Sequence, residues 1–153
     1  MKSFRRIGVI AAVTLAAAGV LSACDKPVPL VTVLANNTAT QLTPQVYCFD
    51  PQSCRKSGEN PEPVKARAGS TISIDVPKSV ADKAWLVSAY SLDDSNKATA
   101  IEGAGTTLLH DQNNARINVP FTGTTYYIAI QQTDGKTATG IWQAAVQITG
   151  SEG

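Results

Sequence analysis

The side chains best able to do chemistry are three cysteines, Cys24, Cys48 and Cys54, and a single histidine, His110. Cys24 closes the run Leu21-Ser22-Ala23-Cys24. Small residues at 22 and 23 fit the narrow site of a lipoprotein signal peptidase, and the thiol at 24 is the group that accepts a diacylglycerol. Lys2, Arg5 and Arg6 form a basic start, followed by an apolar run from Ile7 to Val20. That run is short for a bilayer-spanning helix, which needs about 20 apolar residues, and suits the core of a secretory leader. The residues around Arg5-Arg6 do not extend to a twin-arginine signal, so general export is expected. The expected product starts at Cys24 and is lipidated there, with its partner the membrane on the extracytoplasmic face. Two or three acyl chains make such anchoring durable.

Cys48 and Cys54 are then an even, exported pair separated by Phe49-Asp50-Pro51-Gln52-Ser53, which predicts a local disulfide. Their spacing is not C-x-x-C and no histidine accompanies them, which argues against a redox or zinc pair. A Ser-His-Asp arrangement would have to use His110, yet no G-x-S-x-G elbow presents a nucleophile. Asp93-Asp94-Ser95-Asn96 offers oxygen ligands but lacks calcium-loop spacing, so it reads as a polar turn. Gly103-Ala104-Gly105 lacks the rest of a phosphate-binding fingerprint, and Asn36-Asn37-Thr38 matches a glycosylation sequon by pattern alone. No catalytic residue, metal site or cofactor is assigned, and a non-enzymatic protein is expected.

Two features remain as candidate binding surfaces. The polar, proline-bearing segment from Asp50 to Pro63 surrounds the cysteine pair and carries Arg55, Lys56, Glu59 and Glu62. Constrained exposed loops of this kind often carry function. Tyr126 and Tyr127 are adjacent in a strand-like run, so one ring must be buried and the other exposed.

The elements that position these residues are strands. Residues 24–153 hold 15 Thr, 10 Val and 8 Ile against 7 Leu and no Met, a β-branched bias that suits pleated surfaces. Period-two alternation marks Thr71–Val76, Arg116–Val119, Tyr126–Ile130 and a last strand with Trp142, Ala144, Val146 and Ile148 on one face. The run from Ala84 to Tyr90 is apolar on both sides and reads as central. Ala68-Gly69-Ser70, the Asp93–Asn96 segment, Gly103–Gly105, Phe121-Thr122-Gly123 and Asp134-Gly135 separate the runs, the last as a hairpin signal. Lys78–Lys83 after Pro77 offers the one short helical stretch.

The expected architecture is an all-β, antiparallel β-sandwich of immunoglobulin-like type. Seven to eight strands are expected, with Trp85 and Trp142 filling the space between sheets. The division is 1–23 leader, 24–29 lipidated cysteine and tether, and 30–150 sandwich. The formal charge of +1 gives no electrostatic case for nucleic acid. Its surplus belongs to the leader, and without Lys2, Arg5 and Arg6 acidic residues outnumber basic ones. The tether Asp25-Lys26-Pro27-Val28-Pro29 is unusually short. At about 3.3 Å per residue it spans roughly 15 Å, and its prolines stiffen it.

In order, Leu21–Pro27, the Cys48/Cys54 loop, Ala84-Trp85 and Gly140-Ile141-Trp142 resemble an uncharacterised family of small actinobacterial lipoproteins. The resemblance implies localisation and fold but transfers no site residue. The functional expectation is an envelope binding or accessory module held close to the membrane, with an envelope protein as partner. The alternative is a lipoprotein that binds a small ligand or ion at the loop end of the sandwich.

Overall fold

The computed structural model describes residues 26–57, 61–120 and 125–150; the expected leader, Cys24, Glu59 and the expected Phe121-Thr122-Gly123 turn lie outside the described residues. Eleven strands form: β1 (Val31–Ala35), β2 (Thr38–Leu42), β3 (Val46–Asp50), β4 (Ser53–Lys56), β5 (Val64–Arg67), β6 (Thr71–Asp75), β7 (Ala84–Leu92), β8 (Ala98–Ala100), β9 (Asn114–Asn118), β10 (Thr125–Thr133) and β11 (Ala138–Thr149). Among the described residues one short helix, α1 (Lys78–Ala81), follows Pro77.

The strands make two sheets. The smaller runs β2-β1-β6-β9; the larger runs β4-β3-β11-β10-β7-β8, with β5 pairing in parallel along the end of β11. With β2 to β5 set aside, β1-β6-β9 face β8-β7-β10-β11. That division of seven strands between two sheets is the immunoglobulin-like arrangement. Strands β2 to β5 are three hairpin arms and an edge strand inserted between its first and second members. They raise the count above seven or eight, and each is only four or five residues long.

Alternation drives the burial. Ile72 and Ile74 of β6, Ile117 of β9, Ile128 and Ile130 of β10 and Val146 of β11 all point inward and are essentially inaccessible. Trp85 and Trp142 are both fully buried between the sheets, and burying a large side chain of this kind contributes about 1.5–3 kcal/mol. Each indole N–H needs an acceptor there. Trp85 donates to the carbonyl of Gln112 at 2.7 Å, and Trp142 to that of Pro29 at 3.0 Å. Gly140 lies beside the Trp142 and Tyr47 rings; a Cβ there would sit 2.6 Å from the indole, so a side chain at 140 would displace the pair.

Among the described residues Gln132 is the buried polar side chain. Its amide nitrogen donates to the Ser79 carbonyl at 2.9 Å, and its oxygen accepts from the Thr139 hydroxyl at 3.2 Å, which fastens α1 to β10. Tyr126 stands at the start of β10, where such sandwiches carry a corner tyrosine. Its ring is buried, its hydroxyl has no partner among the described residues, and burial pushes its pKa up to about 12.

Candidate functional site

The end of the sandwich where β1 begins collects most of the residues singled out above. Val28 packs against the core and the Pro29 carbonyl is held by Trp142, so the chain is fixed to the fold from residue 28 onward. The same end carries the turn between β3 and β4, α1, and the loop from Asp134 to Thr137 that joins β10 to β11. Cys48 and Cys54 are bonded and stand directly opposite each other on β3 and β4. The first part of the segment expected as a loop around the disulfide, Asp50 and Ser53–Lys56, is therefore strand, because Cys48–Cys54 register lets the flanking residues pair. Its turn is closed by Asp50, whose carboxylate accepts from the Gln52 N–H at 2.9 Å.

The four candidate loop residues do not converge. Arg55, opposite the inward-facing Tyr47, lies over the Phe49 ring at 5.5 Å. Lys56, opposite Val46, projects from the other side of the sheet edge and is exposed. Glu62 is exposed just before β5, and Glu59 lies outside the described residues. Phe49 meets Tyr47 edge-on at 5.1 Å, and Tyr47 meets Trp142 at 5.9 Å, so an aromatic chain runs from hairpin tip to core.

Beside the hairpin is a cleft of about 490 Å³ lined by Phe49, Asp50, Pro51, Lys83, Asp134 and Thr139. Backbone N–H groups of Thr137 and Lys136 donate to the Asp134 carboxylate and hold its pKa below the usual aspartate value. The cleft thus holds two carboxylates and one ammonium around an aromatic ring. No cluster of three or more metal-ligating side chains occurs among the described residues. His110 is exposed, next to the bridge between Trp85 and Leu109. Asp93 caps its own turn, accepting at one oxygen from the N–H groups of Ser95 and Lys97.

Away from that end, Tyr126 and Tyr127 part as expected. Tyr126 goes into the core, while Tyr127 stacks on Tyr90 across the outward face of the larger sheet at 5.6 Å. Sequence reasoning missed two features. Asn36 and Asn37 both have positive φ, at 48° and 62°, and form the two-residue turn between β1 and β2. An Asn-Asn pair between two strand-like runs is the available signal. The second feature is the outward face itself, whose members come from distant segments.

The family described as "Protein of unknown function (DUF2771)" matches residues 24–132, and the chain belongs to that family. No curated protein matches it.

Proposed function

Starting from membership of this family, we propose that the protein is a lipid-anchored, non-enzymatic binding module of the cell envelope, working close to the extracytoplasmic face of the membrane. The observation that carries the reading is the bond from the Trp142 indole to the Pro29 carbonyl at 3.0 Å. With Val28 packed on the core and Pro29 held by Trp142, only Asp25, Lys26 and Pro27 separate the lipobox cysteine from the fixed part of the chain, a reach of roughly 13 Å. The Cys48–Cys54 hairpin, its aromatic chain and the neighbouring cleft surround that exit point and therefore face the bilayer side. The family match also begins at Cys24.

Acylation at Cys24 predicts a tryptic peptide whose mass carries the diacylglycerol, and Cys24→Ala releases the protein from the membrane fraction. Recovery of wild type and variant equally in the soluble fraction sinks the anchoring. Crosslinking in intact cells is expected to recover an envelope protein on the hairpin side. A flexible insert of about 20 residues after Asp25 reduces that yield, whereas an unchanged yield refutes the need for proximity.

The cleft of about 490 Å³ supports a second reading, a small-ligand or ion-binding lipoprotein. Ligands held there raise the melting temperature once above their dissociation constant. A screen with no shift for the native protein removes that reading and leaves the first intact.

A further inference from the structure

Over its described residues, the larger sheet turns outward a face free of charged side chains from β8 across to Val46 of β3, with Pro61 lying against it beside Tyr90, Tyr127 and Gln143. From edge to edge it presents Ala98 and Ala100 of β8, Leu86, Ser88, Tyr90 and Leu92 of β7, Tyr127, Ala129 and Gln131 of β10, Ile141, Gln143 and Ala145 of β11, and Val46 of β3. An antiparallel sheet that merely faces water alternates toward polar and charged residues on that side. Here the middle of the face holds the stacked Tyr90–Tyr127 pair, and Leu92 is 38% exposed. Depletion of charge with retained aromatics marks the centre of an interface.

Charge reappears at both edges, with opposite sign. At the edge formed by β4 and β5, Lys56, Lys65 and Arg67 point outward and are exposed, with Glu62 nearby. At the edge formed by β8 and its flanking turns lie Asp93, Asp94 and Glu102, with Lys97 nearby. Among the described residues each edge has three charges of one sign and one of the other. The pairing register sets their heights: Lys65 is opposite Gln147, Gln147 opposite Thr125, and the same row continues to Leu92 and Ala98. Lys65 and Arg67 therefore stand level with the turn that holds Asp93 and Asp94.

We infer that this face is a self-association surface, on which a second copy of the chain docks about a two-fold axis parallel to the strands. Such an axis preserves height and exchanges left for right, so each copy's basic edge lies over the other's acidic edge. The uncharged centre lies on the axis, where an isologous contact sets like residues against like and any charge would meet itself. Five strands about 4.8 Å apart and some seven residues long cover roughly 550 Å² per copy. This is close to the lower bound of about 600 Å² per partner for specific pairs. The axis also leaves both chain starts at the same end of the pair, so two tethers can enter one membrane. The inference is independent of which partner the hairpin end meets.

The test uses the full chain, purified in mild detergent and followed by sedimentation equilibrium. Gln143 is exposed beside Ala129 near the centre of the face. The native protein is expected to dimerise. Gln143→Lys and Gln143→Glu each weaken dimerisation by at least about tenfold through like-charge contact. An equimolar mixture of the two variants restores dimers to within about threefold of native. Thr32→Lys, on the outward face of the smaller sheet, leaves association unchanged. A native protein that stays monomeric at about 100 μM overturns the proposal. So does a monomer that instead binds a neutral glycan through this face, and so does a mixture of the two variants that remains monomeric.

Discussion

Each sheet of the sandwich has one face in the core and one outside, yet the two outer faces are built from different side chains. On the smaller sheet, Thr71, Ser73 and Asp75 of β6 stand opposite Asn118, Arg116 and Asn114 of β9. The Asn114 amide donates to the Asp75 carboxylate at 2.7 Å and to the Ser73 hydroxyl at 2.8 Å. Apart from Leu34 of β1, which is 40% exposed, that face is polar, charged and internally hydrogen-bonded, as a wetted sheet surface should be. The larger sheet offers Tyr, Leu, Ile, Ala, Ser and Gln in the corresponding rows and keeps its charges for the edges. The same pleat and strand spacing thus carry one surface matched to water and another matched to something less polar.

Substitutions placed as pairs, one on each face, test this contrast. Ala129 is only 3% exposed although it points outward, because its neighbours close over it. Ala129→Lys is expected to cost about 1–3 kcal/mol in urea denaturation. Thr32→Lys, opposite Asp75 on the smaller sheet, stays within about 0.5 kcal/mol. Equal costs would abolish the distinction. Tyr127→Ala removes a stacked ring and should cost roughly 1–2 kcal/mol, while Asn114→Ala, which removes exposed hydrogen bonds, costs about 0.5 kcal/mol or less. An effect confined to high pH lies beneath the larger face. The buried Tyr126 phenol has its pKa raised to about 12 in the folded chain from an ordinary value of 10.0. The unfolded chain releases that proton first, so the stabilisation is complete below pH 10 and is lost as pH rises through 12. Tyr126→Phe therefore flattens part of the fall in melting temperature across that range. Tyr47 and Tyr90, whose values burial also raises, keep the remainder. A slope identical in the Phe variant would show that the Tyr126 ring is not dry.

Much of the fold could be read from alternation because one face of each long strand is anhydrous. The strands β6, β9, β10 and β11, the inward pair Trp85 and Trp142, the division of Tyr126 from Tyr127 and the helical stretch after Pro77 all follow from local patterns. The short strands did not announce themselves. β4 is exposed along all four residues and β8 along all three, so neither has a buried side to set a period. The Asp50–Pro63 segment reads as a loop for that reason, although Asp50 and Ser53–Lys56 are paired. The outward face was invisible for another reason. Its rows join residues such as Lys65, Gln147, Thr125 and Leu92, which only strand register brings level. A composition count sees the charges but not the two edges to which they are sorted.

The junction at Pro29 has a mechanical consequence. A pull on the chain at residue 24 enters β1 along its own axis. β1 lies inside its sheet, paired with β2 over five residues and with β6 over three. The load is carried as shear by both hydrogen-bond ladders together, rather than opening one of them bond by bond from its end. The Trp142 clamp passes part of that load to the longest strand of the opposite sheet. Force applied at the start of the chain is therefore resisted by two ladders at once rather than by a single edge.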